Sequence, residues 1–210
     1  MDINTWVMYF LSVLVLTASP GPSALFCMTR AVSTGTLGGF IAALGSLIAI
    51  TLILTLSFTG LGVLIATSEL AFTLVKYLGA VYLIYLGVQS FRSKADNLAK
   101  VEANSSNKRL LTDNFIQGFI VGASNPKAIV FFTALFPQFI NPNGSLLSQY
   151  SIFAITFILL ELSWLMFYVV LGVKSSNWLY RNNRMRLFNK LTGSVFISAG
   201  TLLSLSNRNY

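Results

Sequence analysis

The sequence predicts an all-α membrane protein, a bundle of six transmembrane helices. Of its 210 residues, 55% are hydrophobic and only 10% are charged, whereas a soluble domain carries about 25% charged residues. Several windows supply the roughly 20 mostly apolar residues that a helix needs to cross a hydrocarbon core ~30 Å thick. Because these windows use most of the chain, we expect a single transmembrane domain over residues 1–210.

Six apolar segments follow one another along the chain. Their expected ranges are about Ile3–Met28, Gly39–Ala66, Leu70–Phe91, Asn114–Ile140, Ser148–Val173 and Leu191–Ser206. The sixth segment is the shortest. Two polar, basic linkers interrupt the series, at Arg92–Asp113 and Lys174–Lys190. We therefore predict a first three-helix repeat over residues 1–91, a cytoplasmic linker over 92–113 and a second repeat over 114–210.

Lysine and arginine are concentrated in alternate connections between the segments. Arg30 lies between segments 1 and 2, and five basic residues lie in each of the two linkers. The opposite connections hold none, and the C-terminus holds only Arg208. The positive-inside rule then predicts that both termini lie outside the cytoplasm. The first segment is expected to be a retained helix, because the N-terminus lacks the basic region of a signal peptide.

Composition also limits the partners of the chain. The net charge of +8 would suggest nucleic acid as a partner of a soluble protein. Here the basic residues lie in short loops, where they contact lipid head groups, and we expect no nucleic-acid binding. Cys27 is the only cysteine and there is no histidine, which excludes an intramolecular disulfide and a Cys/His zinc site. We expect no cofactor and no bound metal.

Segments 1 and 4 carry similar interruptions. Ala18-Ser19-Pro20 matches Ala123-Ser124-Asn125-Pro126, and repeats of three crossings each must be inverted relative to one another. Proline removes a backbone donor, and freed backbone groups inside a membrane are tolerated where they line a polar cavity or pack on protein. Paired interruptions of this kind point to the binding site of a transporter. Simple proline kinks in a packed bundle are the alternative.

Three charged residues fall inside the predicted spans; Lys76 lies nearer the outer end of its segment, and the other two lie deeper. Lys127 lies thirteen residues into segment 4, ~20 Å along a helix, where a charge costs at least ~2.5 kcal/mol. Lys127 could have a role in the site, or its long side chain could extend towards the membrane–water interface. Glu161 lies near the middle of segment 5 and is the only acidic residue in a predicted membrane interior. It could pair with Lys127, hold a substrate ammonium or carry a proton, and the alternative is a protonated carboxyl with a structural hydrogen bond.

Several motifs in order resemble the LysE/RhtB family of amino-acid exporters over nearly the whole chain. They are Pro20-Gly21-Pro22, the Gly-rich stretch Gly35–Gly45, Tyr77–Gly87, Asn125-Pro126-Lys127-Ala128, Phe136-Pro137-Gln138-Phe139, and the pair Gly193 and Gly200. The chain is more similar to the RhtB branch, which often has an acidic residue where Glu161 stands. Ser23 is a departure, because many members have Asn there.

This resemblance implies a secondary carrier in the bacterial inner membrane that expels amino acids using the proton gradient. It implies neutral or hydroxy substrates such as threonine, homoserine or leucine. The expected substrate-binding residues are Pro20, Gly21, Pro22, Ser23, Asn125, Pro126, Lys127 and Glu161, with Glu161 also coupling transport to protons.

Other functions fit the sequence less well. An exporter of a divalent metal or another ion would need several carboxylate, His or Cys ligands, and the predicted interior offers one carboxylate. An enzyme is not expected, because there is no nucleophile–base arrangement. A chaperone or sensor would lack a soluble output domain. Gly118 and Gly122 form a G-x-x-x-G pattern, which predicts close helix packing first and a homodimer second.

Overall fold

The described part of the chain is entirely helical, as the sequence predicts. The computed structural model describes residues 2–60, 69–92, 107–141, 143–179 and 184–205. Within them lie α1 (Ile3–Ala18), α2 (Pro22–Phe58), α3 (Glu69–Arg92), α4 (Asn107–Ala123), α5 (Pro126–Val130), α6 (Leu146–Leu179) and α7 (Arg184–Leu205). A π-helical turn (Phe131–Leu135) and a 3-10 turn (Phe136–Phe139) follow α5 directly.

The predicted break in segment 1 is confirmed. Helix α1 ends at Ala18, and Ser19 has extended backbone angles, which a residue before proline prefers. Pro22 is the first residue of α2, a position where proline is favoured because its missing N–H would have no helical partner. The chain between the two helices is therefore non-helical at Ser19, Pro20 and Gly21.

Helix α2 bends sharply at Gly35. This residue has φ 75° and ψ −175°, a conformation that is essentially restricted to glycine. A Cβ on Gly39 would lie 2.7 Å from the Cβ of Ala31, although residues eight apart in a straight helix are separated by ~12 Å along the axis. The first arm of α2 (residues 22–34) and its second arm (residues 36–58) therefore converge as in a helical hairpin.

The predicted break in segment 4 is also confirmed. Helix α4 ends at Ala123, and the helical axes of Leu110–Ala123 and Pro126–Thr133 are bent by 45°. Asn125 caps the new helix, because its side chain accepts a hydrogen bond from the backbone N–H of Lys127 at 3.2 Å. Pro126 occupies the first helical position, as Pro22 does in α2.

Small residues set the directions in which the helices pack. Gly118 and Gly122 lie against Ala42 and Ser46, so α4 runs parallel to the second arm of α2. A Cβ on Gly122 would lie 2.7 Å from the carbonyl oxygen of Ser46, and only a residue without a side chain allows this approach. The G-x-x-x-G pattern thus serves packing within the chain.

The remaining helices form two further pairs. Gly87 faces Gly193 and Ala80 faces Gly200, so α3 and α7 are antiparallel. The Tyr9 hydroxyl donates to the carbonyl of Phe153, and the Tyr168 hydroxyl donates to the carbonyl of Ala18. Helices α1 and α6 therefore run in the same direction.

Two helices are long and apolar enough to cross a membrane, Pro22–Phe58 and Leu146–Ser176. The bent pair on either side of Asn125 makes a third candidate, and α1 is a shorter apolar helix. These counts concern only the described residues. The membrane class of the fold agrees with the sequence, and six spans stay a prediction.

The helices extend beyond the apolar segments. Helix α4 begins at Asn107, seven residues before the predicted start at Asn114, and α7 begins at Arg184. Hydropathy marks only the apolar part of a helix, whereas the added turns are polar and basic. The rest of the first linker (93–106), the end of segment 2 (61–66) and the chain end after 205 lie outside the described residues.

Candidate functional site

Two clusters of buried apolar side chains fill the described bundle. The Phe26 cluster contains Phe26, Cys27, Ala42, Ala43, Leu83, Val121, Leu165 and Phe196 among its members. The Phe157 cluster contains Tyr9, Val13, Leu47, Leu54, Ala128, Phe132, Phe136, Phe153 and Phe157 among its members. Helices α2 and α6 contribute to both clusters.

A layer of buried polar residues separates the two clusters along the chain. We name as the polar layer Thr17, Ser23, Ser46, Ser124, Asn125 and Glu161, all of which are buried. Ser46 lies between Ala43 of one cluster and Leu47 of the other, and Glu161 lies between Phe157 and Leu165. Asn125 falls in the same way between Val121 and Ala128. The polar residues of the different helices thus lie between the two clusters, where both helix breaks also occur.

Asn125 joins the two breaks directly. Its side-chain Nδ2 donates a hydrogen bond to the Ser23 hydroxyl at 3.0 Å, and both residues are only 2% exposed. The Oδ1 of the same side chain caps α5. One amide group therefore fixes the start of α5 and connects it to the start of α2. Sequence reasoning predicted both residues in the site, and the structure brings them together.

Lys127 connects the same two breaks through the end of α1. Its ammonium donates to the carbonyl of Leu16, to the carbonyl of Ser19 at 2.7 Å and to the Ser19 hydroxyl at 3.3 Å. These carbonyls have no partner within α1 because the helix ends there, and a cation is favoured at a helix C-terminus. A Cβ on Gly21 would lie 3.5 Å from the Lys127 ammonium. Lys127 is half-buried and lies on the broken backbone.

Glu161 is the acidic residue of the polar layer and is 7% exposed. It lies within electrostatic range of Lys127 and of Cys27. Among the described residues, however, it forms no ion pair with Lys127, which is bonded to α1 instead, and no hydrogen bond is found for its carboxyl. A buried carboxylate without a partner is costly, so this group is chemically available to a proton or to a ligand cation.

Sequence reasoning missed three polar contributors to this region. The Ser46 hydroxyl is buried and has no hydrogen-bond partner among the described residues. Thr17 bonds to the carbonyl of Val13 at 2.8 Å, and the Tyr168 hydroxyl reaches Ala18 at 2.9 Å. The sequence did contain a signal for Ser46, namely a hydroxyl side chain within an apolar segment that has no charge.

Metal-ligand residues are not grouped in the described ranges. No set of three or more His, Cys, Asp or Glu side chains lies close enough together there to hold an ion.

The described architecture is that of a membrane transporter: apolar helices packed in a bundle, with two interrupted helices meeting at a buried polar layer. The LysE type translocator family matches residues 14–207, and the chain belongs to this family. The resemblance to LysE/RhtB exporters is thereby confirmed. Family membership indicates a transporter rather than an enzyme.

The chain is similar over almost its full length to several bacterial proteins. It is 35% identical over 205 residues to the homoserine/homoserine lactone efflux protein of Salmonella typhimurium, covering 97% of this chain and 98% of that protein. It is 33% identical over 204 residues to an uncharacterized membrane protein of Vibrio cholerae, with 97% and 98% coverage. A Bacillus subtilis membrane protein, YrhP, is 34% identical over 193 residues, with 89% and 92% coverage. No solved structure matches the chain.

Proposed function

We propose that this protein exports small neutral or hydroxy amino acids, of the threonine, homoserine or leucine type, across the bacterial inner membrane in exchange for protons. The observation that carries the proposal is the polar layer, in which Ser23 and Asn125 join two broken helices. The same layer contains Glu161, whose carboxyl has no hydrogen bond or ion pair among the described residues. The name of the Salmonella relative, an efflux protein for homoserine and its lactone, supports an amino-acid substrate.

The polar layer offers complementary groups to both charges of a zwitterion. The start of α2 at Pro22 presents backbone N–H groups and the positive end of a helix dipole, which favour a carboxylate. Ser23 adds a hydroxyl there, and the Lys127 ammonium lies beside Gly21. Pro20, Asn125 and Pro126 interrupt the helices at the two breaks, which leaves backbone groups there without helical partners. Glu161 supplies the negative charge for the substrate ammonium.

Coupling to protons follows from the single carboxyl of the layer. Glu161 can carry either a proton or a substrate ammonium, and the two compete for the same group. When substrate binds from the cytoplasm, the proton leaves to the cytoplasm. When substrate leaves to the outside, Glu161 takes up a proton from the outside. One amino acid then moves outward for one proton that moves inward.

We also infer six spans arranged as two inverted repeats, with both termini outside the cytoplasm. Support comes from the helix directions: the second arm of α2 is parallel to α4. The repeat relation exchanges this pair with α6 and α1, which are parallel too. Inverted repeats are related by a two-fold axis in the membrane plane. That axis would exchange α3 with α7, which agrees with their antiparallel directions. The same proposal includes contacts of the basic loops with anionic lipid. It also includes a homodimer.

The test is efflux from proteoliposomes loaded with a panel of labelled amino acids, with and without an imposed pH gradient. We expect saturable, gradient-dependent loss of one or a few neutral amino acids. Glu161→Gln should abolish the gradient dependence, whereas Asp2→Asn, which changes an exposed acid, should not. Absence of any amino-acid efflux from folded wild-type protein would refute the function. A Glu161→Gln variant with wild-type rate and pH dependence would refute the role of that carboxyl.

A further inference from the structure

A polar cavity lies away from the polar layer, between the first arm of α2, the end of α3 and the amino-terminal half of α7. Its volume is about 130 Å³. At roughly 10–15 Å³ per water in this measure, it has room for several waters or one small amino acid. The polar residues that line it are Thr29, Arg30, Ser33, Gln89, Ser90 and Asn189. Phe26 and Phe196 form part of its apolar wall.

Arg30 is the cation of this cavity. Its guanidinium donates to the Gln117 side-chain oxygen and lies 5.2 Å from the centre of the Phe26 ring. Among the described residues that line the cavity none is acidic. Asp113 on α4 lies within electrostatic range of Arg30, but the two form no ion pair in the described structure. A guanidinium has five N–H donors, so Arg30 keeps donors for a carboxylate, which arginine binds in a bidentate manner.

The cavity lies in line with the polar layer. Arg30 follows Ser23 by seven residues on the first arm of α2, which places both on one helical face about 10.5 Å apart. Phe26 stands between them, is 4% exposed and contributes to both the cavity wall and the buried Phe26 cluster. A small ligand in the cavity would thus be separated from the polar layer by side chains of the Phe26 cluster, of which Phe26 itself lines the cavity.

We propose that this cavity is a second substrate subsite, in which Arg30 holds the carboxylate of an amino acid on its way from the cytoplasm to the polar layer. This inference rests on the proposed function. The Ser33 hydroxyl and the Gln89 amide oxygen accept hydrogen bonds from the substrate ammonium. A free amino acid fits better than a lipid head group, because the cavity has side chains from three helices around it and offers donors and acceptors together. Phe26 is one of the side chains of its cluster that separate the two subsites, and it must move for substrate to pass.

The first experiment measures efflux from proteoliposomes as a function of substrate concentration on the cytoplasmic side. Arg30→Gln should raise the half-saturating concentration about tenfold or more, since charge-assisted hydrogen bonds are lost, and should change the maximal rate little. The half-saturating concentration of Arg30→Lys should lie between those of the wild type and Arg30→Gln. Arg92→Gln is the matched control, because Arg92 is exposed and lies outside the cavity. An unchanged half-saturating concentration in Arg30→Gln would overturn the proposal. So would an effect that vanishes in vesicles of neutral phosphatidylcholine, which would assign Arg30 to anionic lipid.

The second experiment detects binding without transport. Ser33→Cys in a Cys27→Ser background places a single thiol in the cavity, and its reaction with a charged thiosulfonate reagent is followed with and without homoserine, threonine or leucine. We expect protection by at least one amino acid, weaker protection by its carboxamide, and loss of protection with Arg30→Gln. Protection without efflux would keep the subsite and refute the exporter. Efflux without protection would refute the subsite alone, and absence of both would refute both.

Discussion

The hydrogen bond between Asn125 and Ser23 should stabilise the two helix breaks against each other. Ser23→Ala removes only this bond, and hydrogen bonds between membrane helices average about 0.6 kcal/mol, with a maximum near 1.7. Asn125→Ala also removes the cap of α5, which adds about 1 kcal/mol. We therefore expect losses of unfolding free energy of about 1 kcal/mol for Ser23→Ala and about 2 kcal/mol for Asn125→Ala.

The double variant decides whether the bond is made. If it is, the bond is lost only once, so the double variant should lose about 2 kcal/mol rather than the sum of about 3, a coupling of about 1 kcal/mol. The assay is reversible unfolding in mixed micelles followed by circular dichroism. Ser12→Ala is the control, because the Ser12 hydroxyl bonds only to the carbonyl of Met8 in its own helix, and its effect should stay within about 0.5 kcal/mol. Additive losses in the double variant would refute the bridge.

Two further predictions use the same unfolding assay. Gly35→Ala should cost about 1–3 kcal/mol although no atom lies within 4 Å of the added Cβ, because the backbone conformation itself excludes a side chain. Gly21→Ala, with φ −133° and ordinary contacts at 3.5 Å, should change stability little, and equal effects at both glycines would contradict the explanation. Lys127→Met should cost about 1–3 kcal/mol, because the Ser19 carbonyl loses its donor and the Leu16 carbonyl keeps only the Ser19 hydroxyl. Lys174→Met, at an exposed position, should be neutral, and a neutral Lys127→Met would show that the carbonyls find other partners.

The sequence was sufficient to predict where the helices break. Proline restricts its own backbone and that of the preceding residue, so Pro20 and Pro126 mark local geometry that neighbouring packing does not override. Helix α3 was also anticipated within one residue at each end, because its apolar run is long, whereas α6 was anticipated within two residues at its start and six at its end. Helix α4 was not, since its first turns are polar and carry no hydropathy signal.

The contacts within the site were harder to anticipate. The depth of Lys127 in an apolar run indicated a role in the site, but residue identities could not show that its partners are backbone carbonyls. Pairing with Glu161 was one of three roles that the sequence left open, and the end of α1 binds the ammonium instead. The alignment of Ser46 with Asn125 and Glu161 at one depth depends on helix offsets, and the glycine contacts that set them act across the fold.

The contact of Lys127 with α1 also has a consequence for how the chain is made. Ser19 and Lys127 are 108 residues apart, and synthesis at about 5–20 residues per second separates them by about 5 to 22 s. Until then the Leu16 carbonyl has the Ser19 hydroxyl as a local partner, whereas the Ser19 carbonyl lacks the ammonium from which it accepts in the folded chain. Assembly of the amino-terminal half is therefore finished only by a residue of the other half.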